Sequence, residues 1–161
     1  MSNMLKAKVS ITGFRPLLFN HFGPESLPLS KTERKGVAGN NPEEWKKTVL
    51  CDDNKQLYLE PSYIFACIRD GARYTKKGRG TLQSAIAATL QVIDDRILLD
   101  RYLPNEIEID PTQPVFLDVR SVRNPTTKSR NIRYRVAASK DWKINFSISW
   151  DKTIVNREQI H

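Results

Sequence analysis

Cysteine is nearly absent from this chain. Cys51 and Cys67 stand sixteen positions apart among 161 residues, without the paired Cys-x-x-Cys spacing of a zinc or dithiol site. Both read as reduced thiols. Histidine is as scarce, with only His21 and the last residue, His161, so imidazole chemistry has little material. No apolar run approaches the ~20 residues of a membrane span. The start, Met1-Ser2-Asn3-Met4-Leu5-Lys6, lacks a signal peptide's apolar core. A cytoplasmic location and no membrane partner are expected. Glycine is sparse too, and Lys77-Gly78-Arg79-Gly80-Thr81 misses the Gly-x-x-x-x-Gly-Lys-Ser/Thr pattern that cradles phosphates. The sequence therefore calls for no cofactor, no metal and no nucleotide hydrolysis.

Acid is missing from one long stretch. Between Asp118 and Asp141 there is no carboxylate, while Arg120, Arg123, Lys128, Arg130, Arg133, Arg135 and Lys140 all fall there. These seven bases nearly equal the net charge of +8 carried by the whole chain. Such a segment creates a local field that attracts polyanions, and nucleic acid is the first reading. Ribosomes and anionic membrane surfaces would share the signature. With 39% hydrophobic and 27% charged residues, the chain reads as one soluble domain with a single core.

Leu5, Ala7, Val9 and Ile11 alternate with polar residues and predict a first strand ending at Gly13. Residues 14–56 lose that pattern and read as a long insertion broken by prolines and glycines, with Lys31, Arg34 and Lys35 as a further anion contact. Pro61 suits a helix's first turn, and Ile64, Cys67, Ile68 and Ala72 extend a helix to Tyr74. Thr81 is the expected N-cap of a second helix ending near Leu90. Ile97 to Leu99 and Ile107 to Ile109 read as short strands. Val115 to Arg123 and Asn131 to Val136 read as two strands joined by the turn-forming Asn124-Pro125-Thr126-Thr127-Lys128-Ser129. Ile144, Phe146, Ile148 and Trp150 alternate in the clearest strand of the chain, and Asn156 is placed to cap a helix after it. The expected class is α+β with an antiparallel sheet.

Two motifs carry a resemblance. One is Ile11-Thr12-Gly13-Phe14-Arg15-Pro16-Leu17-Leu18-Phe19-Asn20, and the other is Ser121-Val122-Arg123-Asn124-Pro125 running into Arg130-Asn131-Ile132-Arg133-Tyr134-Arg135. With Trp142 and the strand from Phe146 to Trp150, the chain resembles phage-encoded relatives of the RAMP superfamily, which supplies backbone subunits of CRISPR effector complexes in antiviral defense. The resemblance covers nearly all of residues 1–161. It implies a ferredoxin-like, RNA-recognition-type antiparallel sheet with helices on one face. A β-hairpin thumb, residues 115–136, would project between two core strands. Members usually continue through a second core helix into a glycine-rich segment and a last strand, so the core is expected to be incomplete at its C-terminal end. A partner, or another copy of the chain, would then supply the missing strand.

The resulting expectation is a non-enzymatic RNA-binding subunit. It would grip single-stranded RNA by its phosphates through Arg120, Arg123, Lys128, Arg130, Arg133 and Arg135, with Tyr134 stacking on a base. Arg73, Lys76, Lys77 and Arg79 form a second basic patch. The partners implied by the resemblance are RNA, further copies of the chain, and CRISPR effector subunits, which it would join or obstruct. The bland alternative is a solvated hairpin whose arginines pair with carboxylates. Two functional rivals are a phage module binding single-stranded DNA and a metal-independent endoribonuclease using His21 as general base. Asp52-Asp53 and Asp94-Asp95 read first as loop acids, and only secondarily as metal ligands. Trp142 is the aromatic most open to stacking. Phe14, Leu17, Leu18, Phe19 and Phe22 would cover the core or dock against a neighbour.

Overall fold

The computed structural model describes residues 3–23, 41–123, 125, 126, 128 and 130–160. Its strands and helices, in chain order, are β1 (Met4–Thr12), β2 (Leu17–Leu18), α1 (Trp45–Thr48), β3 (Gln56–Leu59), α2 (Pro61–Gly71), β4 (Lys76–Lys77), β5 (Gly80–Thr81), α3 (Gln83–Thr89), β6 (Gln91–Val92), β7 (Ile97–Tyr102), β8 (Val115–Arg123), β9 (Arg130–Ala138), β10 (Lys143–Asp151) and α4 (Arg157–Ile160). The class is mixed α and β with antiparallel sheets, as the alternating and helical periods lead one to expect. Among the described residues, no helix is long and apolar enough to cross a membrane.

Contacts divide the chain into two compact units. The first comprises Met1–Ile11, Tyr58–Leu99 and Lys143–His161; the second comprises Thr12–Leu57 and Asp100–Trp142. One sheet has the order β1-β10-β7-β3, and β6 also pairs with β10. Ile144, Phe146, Ile148 and Trp150 are all buried along β10, so the period-two reading of that strand holds. The first unit also buries Ile64 of α2, Leu82, Ile86 and Leu90 around α3, and Ile97 and Leu99 of β7. Burying an aliphatic or aromatic side chain contributes roughly 1.5–3 kcal/mol, and this layer is what holds the unit.

Trp150 donates its indole N–H to the carbonyl of Val155 at 3.1 Å, satisfying a polar pair inside that layer. Val155 itself is fully buried. Asn156 caps α4 as expected: its Oδ1 accepts from the backbone N–H of Gln159 at 2.9 Å, while Gln159 Oε1 accepts from the Asn156 N–H at 3.0 Å.

Three local expectations change. α2 begins at Pro61, but it ends at Gly71, and Ala72–Tyr74 tightens into a 3-10 turn. Thr81 is not an N-cap, because it pairs with Lys76 in the small hairpin β4–β5. Gly78 makes that hairpin's turn at φ +59°, a left-handed conformation glycine adopts without cost. Ile107 to Ile109 do not form a strand. Pro104, Pro111 and Pro114 bracket them, and this stretch bonds β8 through Leu117 N–H donating to Glu108 at 2.7 Å.

The second unit is built on a sheet ordered β2-β9-β8. Its core gathers Phe19, Leu50, Leu57, Val115, Phe116, Leu117, Val136, Ala137 and Ala138. Gly13 anchors one end: its N–H donates to the Trp142 carbonyl at 2.8 Å, and its own carbonyl accepts from Asp141 at 2.6 Å. A Cβ on Gly13 would fall inside the Trp142 indole, which explains glycine there. The indole N–H of Trp142 donates to the Arg15 carbonyl at 2.9 Å, so Trp142 is a half-buried clasp and not an open stacking platform.

The stretch 14–56 is less irregular than expected, because it contains β2, α1 and an isolated bridge between Cys51 and Leu57. Asp52 closes its last turn, its Oδ1 accepting from the N–H groups of Asn54 and Gln56 at 2.9 and 2.8 Å. Lys31, Arg34 and Lys35 lie outside the described residues.

Candidate nucleic-acid interface

The register of β8 against β9 runs without a break from Val115↔Ala138 to Arg123↔Arg130. Side chains directly opposite in such a pair share a face, and alternate positions take opposite faces. The basic residues therefore divide by parity. Arg120, Arg133 and Arg135 share one face with Asp118, Val122 and Asn131, while Arg123 and Arg130 lie on the other, at the end of the hairpin beside its turn. Lys128 is exposed in that turn at φ +59°. What reads in sequence as one basic stripe is two sets.

The first set is largely committed. Arg120 Nε lies 2.7 Å from Asp118 Oδ2 and donates to Oδ1 at 2.9 Å. Arg133 forms an ion pair with Glu44, which lies at the start of α1, and α1 packs against β9. The second set is not: among the described residues neither Arg123 nor Arg130 forms an ion pair, and both are exposed. Tyr134 is half-buried opposite Val119, on the face of Arg123 and Arg130.

On the committed face the second unit holds a cavity of about 480 Å³ lined by Asn20, His21, Phe22, Asn41, Glu44, Lys47, Thr48, Val122, Arg133 and Arg135. The backbone N–H of His21 donates to the Thr48 carbonyl at 2.9 Å, which ties the segment after β2 to α1. Lys47 has no sequence signal pointing to it. Nothing local marks a lysine in a short helix as a neighbour of residues some ninety positions later. The aromatic cluster separates as well: Phe19 is buried, whereas Phe14 and Phe22 are 82% and 72% exposed, and Phe22 sits at this cavity.

The other basic patch belongs to the first unit. Arg73, Lys76, Lys77 and Arg79 are all exposed around β4–β5. Lys77 Nζ donates to the Ile154 carbonyl at 2.6 Å, so one of the four ties the hairpin to the turn after β10. Asp70 stands near Arg73 and is held below the usual carboxylate range, first by its hydrogen bond from Arg69 and then by both arginine charges.

Asp94 and Asp52 have structural duties. Asp94 Oδ2 accepts from the Ser147 N–H at 2.5 Å, and Asp52 closes the turn already described. Among the described residues, no group of three or more His, Cys, Asp or Glu is placed to hold a metal ion. Burial pushes the Cys51 thiol up, with Asp52 adding to the shift, which keeps it in the less reactive thiol form. No protein-family model matches the chain, and no curated protein matches it.

Proposed function

We propose that this chain is a binding protein for single-stranded RNA, a RAMP-like subunit that grips phosphates without cleaving them. The observation that carries the reading is the end of the β8–β9 hairpin, where Arg123, Lys128 and Arg130 are exposed and, among the described residues, free of ion pairs. Cations left uncompensated at an exposed turn favour a polyanion, because each phosphate contact releases condensed counterions. Contacts of that kind carry little sequence information.

A ferredoxin-like core is supported by strand order. β1, β10 and β7 are neighbours in the sheet, α2 lies between β1 and β7 in the chain, and β8–β9 interrupts the connection from β7 to β10. The first three strands of a β-α-β-β-α-β core have that order, with the hairpin as an inserted thumb. On the same resemblance, the chain assembles along RNA with further copies or with effector-complex subunits, either joining or obstructing them.

The test is fluorescence anisotropy with matched single-stranded RNA and DNA oligonucleotides over a salt series. Arg123→Glu with Arg130→Glu is expected to weaken RNA binding at least tenfold and to flatten the salt dependence by about two phosphate contacts. Unchanged affinity would remove the hairpin from the reading. Equal affinity for RNA and DNA would make this a general single-strand binder.

A further inference from the structure

We propose that the cavity walled by residues 20–22, α1 and the Arg133–Arg135 face of β9 binds a phosphate monoester, the doubly charged group found on a free mononucleotide or at the end of a strand. The strand-end form rests on the RNA-binding reading above; the free form does not.

The argument begins with charge. Among the described residues, Lys47, Arg133 and Arg135 line the cavity against one carboxylate, Glu44, an excess of two positive side chains. Arg133 takes the Glu44 carboxylate and thereby holds α1 against β9, which builds the wall. Arg135 faces Asp118 across the ladder, but that carboxylate is occupied by Arg120. Arg135 and Lys47 are thus the two cations that, among the described residues, form no ion pair at this site. A phosphate monoester carries about −1.5 to −2 at neutral pH, whereas an internal phosphodiester carries one charge. Two uncompensated cations in a recess match the former.

Size agrees. The cavity volume, about 480 Å³, admits a phosphate with its sugar and base. Phe22 offers a largely exposed ring at the same site, and aromatic faces accept any base by stacking. The arrangement is therefore suited to a terminal nucleotide of any sequence. Arg133 is a positioning residue here; Lys47 and Arg135 are the ligand-binding ones.

The experiment compares one oligoribonucleotide carrying a 5′-phosphate, a 3′-phosphate or hydroxyls at both ends, in anisotropy titrations with the full chain. One phosphorylated end is expected to bind about tenfold more tightly than the hydroxyl-ended strand, and Lys47→Gln is expected to bring that ratio close to one. Circular dichroism melts of Lys47→Gln and of Arg135→Gln establish that each variant is folded, and either variant suffices. Equal binding of all three strands overturns the proposal, as does a preference that survives both substitutions. Should no strand bind, the RNA reading fails by itself, and the cavity is tested by amide NMR titration with AMP, adenosine and inorganic phosphate. Shifts at His21 and Thr48 with AMP and phosphate but not adenosine support the site; no shifts with any of them overturn it.

Discussion

Asp118 faces Arg135 across the β8–β9 ladder, yet its carboxylate is held by Arg120, two residues along its own strand, at 2.7 Å. The lone acid at the start of the basic segment thus neutralises the arginine nearest it in sequence and leaves its cross-strand neighbour to the cavity. Arg120 is 64% exposed at its side chain, so the pair contributes no more than about 1 kcal/mol. Asp118→Asn should leave the melting temperature nearly unchanged while strengthening RNA binding severalfold at low salt. A fall in affinity would mean that Asp118 organises the face instead of masking it.

Gly13 is expected to tolerate no side chain. Gly13→Ala sets a Cβ against an indole already fixed by its bond to Arg15, and the forced repacking should cost roughly 1–3 kcal/mol. Urea unfolding measures the loss, and tryptophan emission should report the displaced Trp142 ring.

Trp150→Phe should fill most of the same space but leave the buried Val155 carbonyl without its donor. The expected loss is about 1–3 kcal/mol, the penalty for an unsatisfied buried acceptor. If the variant melts with the parent, another donor serves that carbonyl.

Arg133 and Glu44 should show direct coupling. A double-mutant cycle of Arg133→Gln and Glu44→Gln, read from urea unfolding, should give roughly 0.5–1 kcal/mol for this partly exposed pair. Additive losses would indicate that α1 is held to β9 by packing alone.

Acid should destabilise the fold through turn carboxylates. Asp110 is held below its usual value near 3.8 first by its hydrogen bond from the Thr112 backbone, and Asp151 by its bonds from the Thr153 hydroxyl and backbone. Because the folded state favours the ionised form, the stability they add is present above that usual value and lost as pH falls through their lower folded values. Asp110→Asn with Asp151→Asn should flatten the melting temperature against pH below about 4. An unchanged acid limb would place the effect elsewhere, with Asp70 the next group to test.

Strand and helix types were legible wherever a periodic pattern ran long enough to require one buried face. β1, β10 and α2 follow from such patterns, and so do the two strands of the basic hairpin. The misreadings are local and share a cause. Ile107 to Ile109 had suitable residue types but prolines on either side, and Thr81 had a capping side chain but was claimed by a two-residue hairpin. At these positions a few tertiary bonds outweigh intrinsic preferences worth well under 1 kcal/mol.

The amino-acid sequence by itself determined the concentration of positive charge, its place in a hairpin, and the alternation that buries β10. Those depend on neighbours in the chain. Only the tertiary structure decided which cations are spent. Parity of the β8–β9 register sends Arg123 and Arg130 to one face and Arg120, Arg133 and Arg135 to the other, and a shift of one residue would have grouped Arg120 with Arg130 and Arg123 with Arg133 and Arg135. Contact with α1 then brings Glu44, and with it Lys47, to Arg133 across 89 positions of chain. Coulomb energy depends on distance in space, and for residues so far apart in sequence only the fold sets that distance.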